Sequence, residues 1–338
     1  MDKSSRILLA HGSGGLLYRR LVEEVLLPYF TNPILSQLGD AALCDLPSGR
    51  LALTCDSFVV KPLFFPGGDI GRLAVCGTVN DLAMSGARPL YLTLGLIIEE
   101  GFLMADLQRI CASIAQAAQE AGVSIITGDT KVVGKGQADG IFINTAGVGV
   151  VASQRDLSRG PQVQPGDKVL LTGSLAQHGM AVMAAREELA IDPPLVSDVA
   201  PLPSLTDAIF KAAPGIKLLR DPTRGGVAAT LSEWAESTGL SICLEEAALP
   251  LERPVAALCE LLGLDPLYVA NEGKFLAAVP PKEEKAALAA LRAHPLGRQA
   301  ACIGAFTDEP GAKVSITTPY GGRRLVGMIS GEQLPRIC

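Results

Sequence analysis

Between Asp69 and Pro89 the sequence specifies a single helix with both ends marked. Asp69 is an N-cap residue, Gly86 suits the far end, and Pro89 cannot continue the turn. From Ile70 to Ser85 the residues are mostly apolar, and Gly71, Ala74, Gly77 and Ala83 are small enough to permit close packing. Asp81 interrupts this run. An acid in apolar surroundings costs free energy unless it is paired or bound to a cation. The strand predicted before it, Leu51 to Val60, repeats the anomaly: by a period of two, Asp56 shares a face with Thr54 and Phe58.

The segments after the helix alternate in type. A strand is predicted over Tyr91–Ile98. Leu103, Leu107, Ile110, Ile114 and Ala118 then form a helical stripe that ends at Gly122. The next strand runs into Asp129 and Lys131, and another covers Ile141–Val151. The half thus holds Asp40, Asp56, Asp81 and Asp129, each at or beside an apolar element. A lone Asp of this kind reads as a cap or turn residue. Four of them suit Mg²⁺, which takes a few carboxylate oxygens and leaves other positions for phosphates. Ahead of them, Ala10-His11-Gly12-Ser13-Gly14-Gly15 leads into an apolar run from Leu16 to Phe30. Alone this is a flexible turn before a helix. With the acids, its N–H groups suit an anion.

Ser153 to Gly166, with Pro161 and Pro165, reads as a linker. Beyond it a strand is predicted at Lys168–Thr172, then a glycine-bearing loop containing His178, and a helix from Met180 to Leu189. The turn Arg220-Asp221-Pro222-Thr223-Arg224-Gly225-Gly226 opens a helix, and its two arginines favour an anion. Glu272 lies between apolar strands beside Gly273, and residues 311–328 read as a hairpin. The sequence closes on Leu334-Pro335-Arg336-Ile337-Cys338, which reads as a free extended arm bearing a thiol.

Composition narrows the class. At 338 residues the chain has the length of two domains of roughly 150 residues. It is 48% hydrophobic but only 4% aromatic, as in an α/β or α+β core. A net charge of −6 and the lack of a basic stretch exclude a nucleic-acid surface. The eight cysteines contain no CxxC and there are three histidines, which argues against structural zinc. Neither a signal peptide nor a bilayer-spanning run is recognisable, so a soluble cytoplasmic protein is expected.

The glycine turn at His11–Gly15, the run from Asp69 to Pro89, Gly128-Asp129-Thr130-Lys131, Asp221 to Gly226, Asn271-Glu272-Gly273-Lys274 and the final Pro335-Arg336-Ile337-Cys338 together resemble the HypE family of hydrogenase maturation proteins. The match covers nearly the whole chain. Its internal loops are shared with aminoimidazole-ribotide synthetase, selenophosphate synthetase and thiamine-phosphate kinase, and the final Cys singles out HypE.

The resemblance implies an α+β (PurM-like) fold. Its N-terminal α/β half would pair with a second copy into a barrel-like sheet core with ATP clefts at the interface, and its C-terminal half would be α+β. It divides the chain into a glycine-loop segment (1–35), an ATP-binding and dimerisation domain (36–152), a C-terminal domain (160–310) and a hairpin with a flexible tail (311–338). The implied reaction is ATP-dependent dehydration of a carbamoyl group on Cys338 to a thiocyanate, the cyanide source for NiFe hydrogenase. The carbamoyltransferase HypF would load the sulfur, and the HypC–HypD scaffold would receive the product. Asp56, Asp81 and Asp129 would hold Mg²⁺–ATP, with Asp40 a fourth metal ligand and Asn80 beside the nucleotide. Gly12, Gly14 and Gly15 would cover phosphate. Lys131 and Glu272 would handle protons, with charge stabilisation the other role open to Lys131, and His11 and Arg224 would contact substrate or phosphate. Two other readings stay open on the residues alone: a different ATP-dependent enzyme of the superfamily, and a non-enzymatic carrier whose arm docks partners.

Overall fold

The structure is a computed structural model that describes residues 5–13, 15–38, 41–159, 162–328, 334, 336 and 337, with Arg159 described by its backbone alone. Gly14, Asp40 and Cys338 lie outside the described residues. In the first half, α1 (Leu16–Arg20) and α2 (Leu27–Phe30) precede β1 (Arg50–Phe58) and a short pair, β2 (Phe64–Phe65) and β3 (Gly68–Asp69). Then follow α3 (Ile70–Met84), β4 (Ala87–Glu99), α4 (Met104–Ala121), β5 (Ser124–Val133) and β6 (Ile141–Val151). The four-stranded sheet runs β1-β6-β4-β5, with β4 and β5 parallel and the other neighbours antiparallel.

The helix marked by Asp69 forms as its sequence predicts. The Asp69 carboxylate accepts from the Arg72 N–H at 2.9 Å, and Gly86 follows the last turn at φ +81°. Nearly all of α3 is buried. One side packs on β1, β4 and β6 and another meets the C-terminal half, so no face is left for water. A Cβ on Gly86 would sit 2.1 Å from the Arg155 carbonyl oxygen. Gly86→Ala is therefore expected to destabilise the fold by about 1–3 kcal/mol, read as a lower urea midpoint at unchanged slope.

Three local expectations are corrected. The Leu16–Phe30 helix opens into a π-turn over Leu21–Leu26. Pro28 follows immediately, and a widened turn spares its ring the clash with a preceding carbonyl. Pro89 lies inside β4, at a register shift against β6 between Pro89 and Tyr91. A residue without an N–H is tolerated in a strand at such a bulge. Within the expected free arm, the described residues Arg336 and Ile337 are instead docked. Ile337 is 3% exposed and joins the N-terminal core.

The second half contains β7 (Lys168–Leu171), α5 (Gln177–Arg186), α6 (Pro203–Ala212), β8 (Leu218–Arg220), α7 (Gly226–Thr238), β9 (Ser241–Glu245) and α8 (Arg253–Leu262). It ends with β10 (Leu276–Val279), α9 (Glu284–Ala293), β11 (Ala301–Thr307), β12 (Val314–Thr317) and β13 (Arg323–Val326). Its seven-stranded sheet runs β13-β12-β9-β11-β7-β10-β8. The hairpin β12–β13 joins that sheet through a parallel pairing of β12 with β9, so it is continuous with the C-terminal half.

One face of the N-terminal sheet carries no helix. On β1 the side of Thr54, Asp56 and Phe58 turns to α3, whereas Leu51 and Leu53 on the other side are 53% and 68% exposed. Ile97 on β4 adds to this open apolar face. Among the described residues no helix is long and apolar enough to cross a membrane.

Candidate active site

The acids that looked anomalous in the sequence meet where α3 touches both halves. Asp56 accepts a hydrogen bond from the Thr78 hydroxyl at 3.2 Å, and Asp81 accepts one from Thr54 at 2.8 Å. Burial pushes the Asp56 carboxyl up to about 6; the Asp81 charge adds to this, and Thr78 and Arg224 oppose it. From the C-terminal half come Asp221, 5% exposed, and Glu272, 2% exposed. Burial drives Asp221 up to about 7, helped by Asp81 and Asp56. Glu272 is raised well above the ordinary carboxylate range by burial first, then by Asp221, Asp198, Asp56 and Asp81. A cleft of about 650 Å³ opens over this cluster, with Thr54, Asp81, Arg220 and Asp221 in its wall.

Backbone contacts fix the cluster. Asn80 donates to the carbonyls of Ala200 (3.1 Å) and Glu272 (3.2 Å) and accepts from the Leu202 N–H (2.7 Å). Its amide hydrogens are thus used within the chain, and Asn80 is a strut that holds Glu272 rather than a free donor to nucleotide. Asn271 ties Ala176 to Pro222 in the same way. A Cβ on Gly273 would lie 1.7 Å from the Asp198 carbonyl oxygen, so only glycine lets these segments touch. Beside Gly273, the fully buried Lys274 pairs with Asp198, whose Oδ1 is buried with no donor among the described residues.

Asp129 and Lys131 stand apart from this group. They lie on β5, and β1 is at the opposite edge of the sheet. At about 4.8 Å per strand the separation is roughly 14 Å. Asp129 is paired with Lys131 at 2.9 Å, and both side chains are more than half exposed. Hydrogen bonding to Asp129 raises the Lys131 ammonium above its ordinary value. In one chain, then, Lys131 is held as a cation beside Asp129, which suits charge stabilisation, the other role open to it. His11 and Gly12 belong to this second group. His11 is buried and its Nδ1 accepts from the Leu8 N–H at 2.9 Å, while a Cβ on Gly12 would lie 2.6 Å from the Val132 nitrogen. Gly15 starts α1 in open space.

Among the described residues no three His, Cys, Asp or Glu side chains form a ready metal cage. A hard cation bound by one or two carboxylates and by substrate oxygens fits such an arrangement better than an all-protein site. Asp221 is the residue the sequence reading missed as a cluster acid. Its flanking arginines signalled an anion, and only burial beside Asp81 and Asp56 reveals its place.

The N-terminal domain model of AIR synthase related proteins matches residues 38–151, and their C-terminal domain model matches residues 164–317. Carbamoyl dehydratase HypE of Azotobacter vinelandii is 51% identical over 336 residues, 99% of this chain and 98% of its own. The chain belongs to the HypE family of carbamoyl dehydratases. A crystal structure of a hydrogenase maturation protein HypE in complex with ATP matches with a TM-score of 0.93 at 45% identity, covering 98% of this chain and 99% of that one. A chain from a HypE–HypF complex matches with a TM-score of 0.79 at 48% identity over 91% and 99% of the two chains. The fold is thus the two-domain α+β PurM-like fold of HypE. Membership makes ATP-dependent carbamoyl dehydration in hydrogenase maturation the activity of its family.

Proposed function

We propose that this HypE-family chain dehydrates a carbamoyl group carried on Cys338, converting a thiocarboxamide into the thiocyanate that supplies cyanide for the NiFe hydrogenase iron centre. The balance is one thiocarboxamide and one ATP to one thiocyanate, ADP, phosphate and a proton. The amide oxygen, a poor leaving group by itself, departs as phosphate, and both N–H protons are lost as the C≡N bond closes.

The observation that carries this reading is the join between the docked tail and the buried acids. The Ile337 carbonyl lies 3.1 Å from His178 Nε2. The His178 ring is within electrostatic reach of Asp198 and Lys274, and Asp198 in turn acts on Glu272. In this reading Glu272 accepts an N–H proton and Arg224 contacts phosphate. His11 and the Gly12, Gly14 and Gly15 turn cover the phosphates, and Lys131 contributes charge. The crowding of Asp56, Asp81 and Asp221 fits Mg²⁺, with Asp56 and Asp81 its holders and Asp40 and Asp129 further candidates. Bound there, Mg²⁺ would neutralise phosphate oxygens.

The open face of the N-terminal sheet fits a second copy of the chain. In a homodimer joined there, the glycine turn, Asp129 and Lys131 of one chain would complete the acid cluster of the other. The partner reading is HypF as carbamoyl donor, supported by the solved complex of a relative, and HypC–HypD as acceptor, in the cytoplasm.

Intact-protein mass spectrometry tests the reading. With the carbamoyltransferase and Mg²⁺–ATP, the wild type should gain one carbamoyl and then lose one water. Cys338→Ala should show neither step and keep its nucleotide affinity. Product formation by Cys338→Ala would overturn the assignment.

A further inference from the structure

The segment before Cys338 is seated in a built receptor. The Arg336 Nε–H donates to the Val59 carbonyl at 2.9 Å, and its guanidinium pairs with Asp139 and faces the Phe142 ring. The Arg336 carbonyl accepts from the Lys61 N–H at 3.2 Å and from the Arg186 guanidinium at 2.7 Å. The next carbonyl, that of Ile337, takes the His178 Nε2 hydrogen. This fixes the tautomer: Nδ1 of His178 is then the acceptor of the Ser197 hydroxyl at 2.8 Å.

We propose that Asp139, Arg186 and His178 are positioning residues that dock Arg336–Ile337 for the dehydration step and release it for carbamoyl acceptance. The inference rests on the reading of Cys338 given above and adds to it the residues that hold the arm.

The receptor is preorganised. Asp139 belongs to the 134–140 loop, whose Gly136 and Gly140 N–H groups are both held by the Glu99 carboxylate. His178 is fully buried, with the edge of Phe65 against its ring. The three residues also come from both halves, Asp139 from the N-terminal one and Arg186 and His178 from α5. A seated tail therefore bridges them.

Its chemistry suits a reversible seat. Arg336 holds φ at +54°, a strained conformation for a residue with a Cβ, so it needs its partners to stay there. The Asp139–Arg336 pair is part-exposed, with side chains 43% and 33% accessible. Pairs of that kind are weak and open readily. The carbonyl contacts ignore side-chain identity, so the guanidinium site supplies the selectivity for arginine.

Trypsin reads the docking without any catalysis, because the Arg336–Ile337 bond is a cleavage site whose carbonyl is engaged when seated. In full-length protein, Asp139→Ala is expected to speed loss of everything after Arg336 by about fivefold or more, since proteolysis follows the open fraction. His178→Gln should do the same, and Arg336→Asp combined with Asp139→Arg should restore part of the dehydration rate that either change alone removes. Dehydration of the carbamoylated thiol should fall about tenfold or more in Asp139→Ala, as expected for a misplaced reacting group. Carbamoyl acceptance, which needs the arm released, should not slow.

Unchanged proteolysis in Asp139→Ala would overturn the docking site. So would equal losses in carbamoyl acceptance, dehydration and nucleotide binding, which would mark a merely structural role. If the wild type takes no carbamoyl on Cys338, the functional reading fails while the proteolysis arm still decides the docking site.

Discussion

Glu272→Gln is expected to slow loss of water from the Cys338 carbamoyl group by about 10²- to 10⁴-fold, the usual contribution of a positioned base. Nucleotide affinity should change little. Glutamine keeps the shape of the side chain and loses only the ability to take a proton. The peptide around it is held independently, because Asn80 binds the Glu272 backbone carbonyl. The reason to single out this carboxyl is its setting. It is 2% exposed and strongly biased towards its protonated form. The burial part of that bias persists whatever sits beside Asp56 and Asp81, so the ionised group is a stronger base than an ordinary carboxylate. The check is single-turnover mass spectrometry on carbamoylated protein, with calorimetry for nucleotide. Thiocyanate formed at the wild-type rate would remove Glu272 from proton transfer.

How much of this was legible depends on whether a feature is local. The caps of α3, the alternation along β1 and the hairpin at the end of the C-terminal sheet are set within a few residues, and the sequence predicts each. Asp56 and Asp81 stood out because an acid in an apolar run is anomalous wherever the run packs. Asp129 stood out for the same reason but belongs elsewhere in one chain. Grouping it with Asp56 required the strand order, and β1-β6-β4-β5 puts the two on opposite edges. That order depends on contacts distant in sequence. The pairing of Lys131, by contrast, is local: two residues from Asp129 along one strand, it faces that acid on an exposed edge. The arm, like the place of Asp129, depends on distant contacts. Pro335 and the lack of periodicity suggest an unattached segment, whereas its anchors at Val59, Asp139 and His178 lie far upstream.

Asp221→Asn tests whether the acid cluster is built for a cation. The folded protein raises this carboxyl from 3.8 to about 7. For a group raised on folding, the favourable contribution is complete below the unfolded value and is lost as pH rises through the folded value. In cation-free buffer the wild type should therefore lose stability between about pH 4 and 7, and Asp221 alone would account for roughly 4 kcal/mol of that once the pH is above 7. Asparagine cannot ionise. The variant should match the wild type below about pH 4, where the wild-type carboxyl is still largely protonated in both states, lose much of the slope, and melt higher than the wild type at pH 8 in EDTA. Adding Mg²⁺ and ATP should reverse the order. The wild type regains stability because the ligand binds the folded state alone, and the variant, with one negative charge fewer beside Asp56 and Asp81, gains less. Thermal melts across pH, with and without Mg²⁺–ATP, supply all four comparisons. If the variant kept the full pH slope, the strain would lie in Asp56 and Glu272 and not in Asp221. If both proteins gained equally from Mg²⁺–ATP, Asp221 would have no part in cation binding.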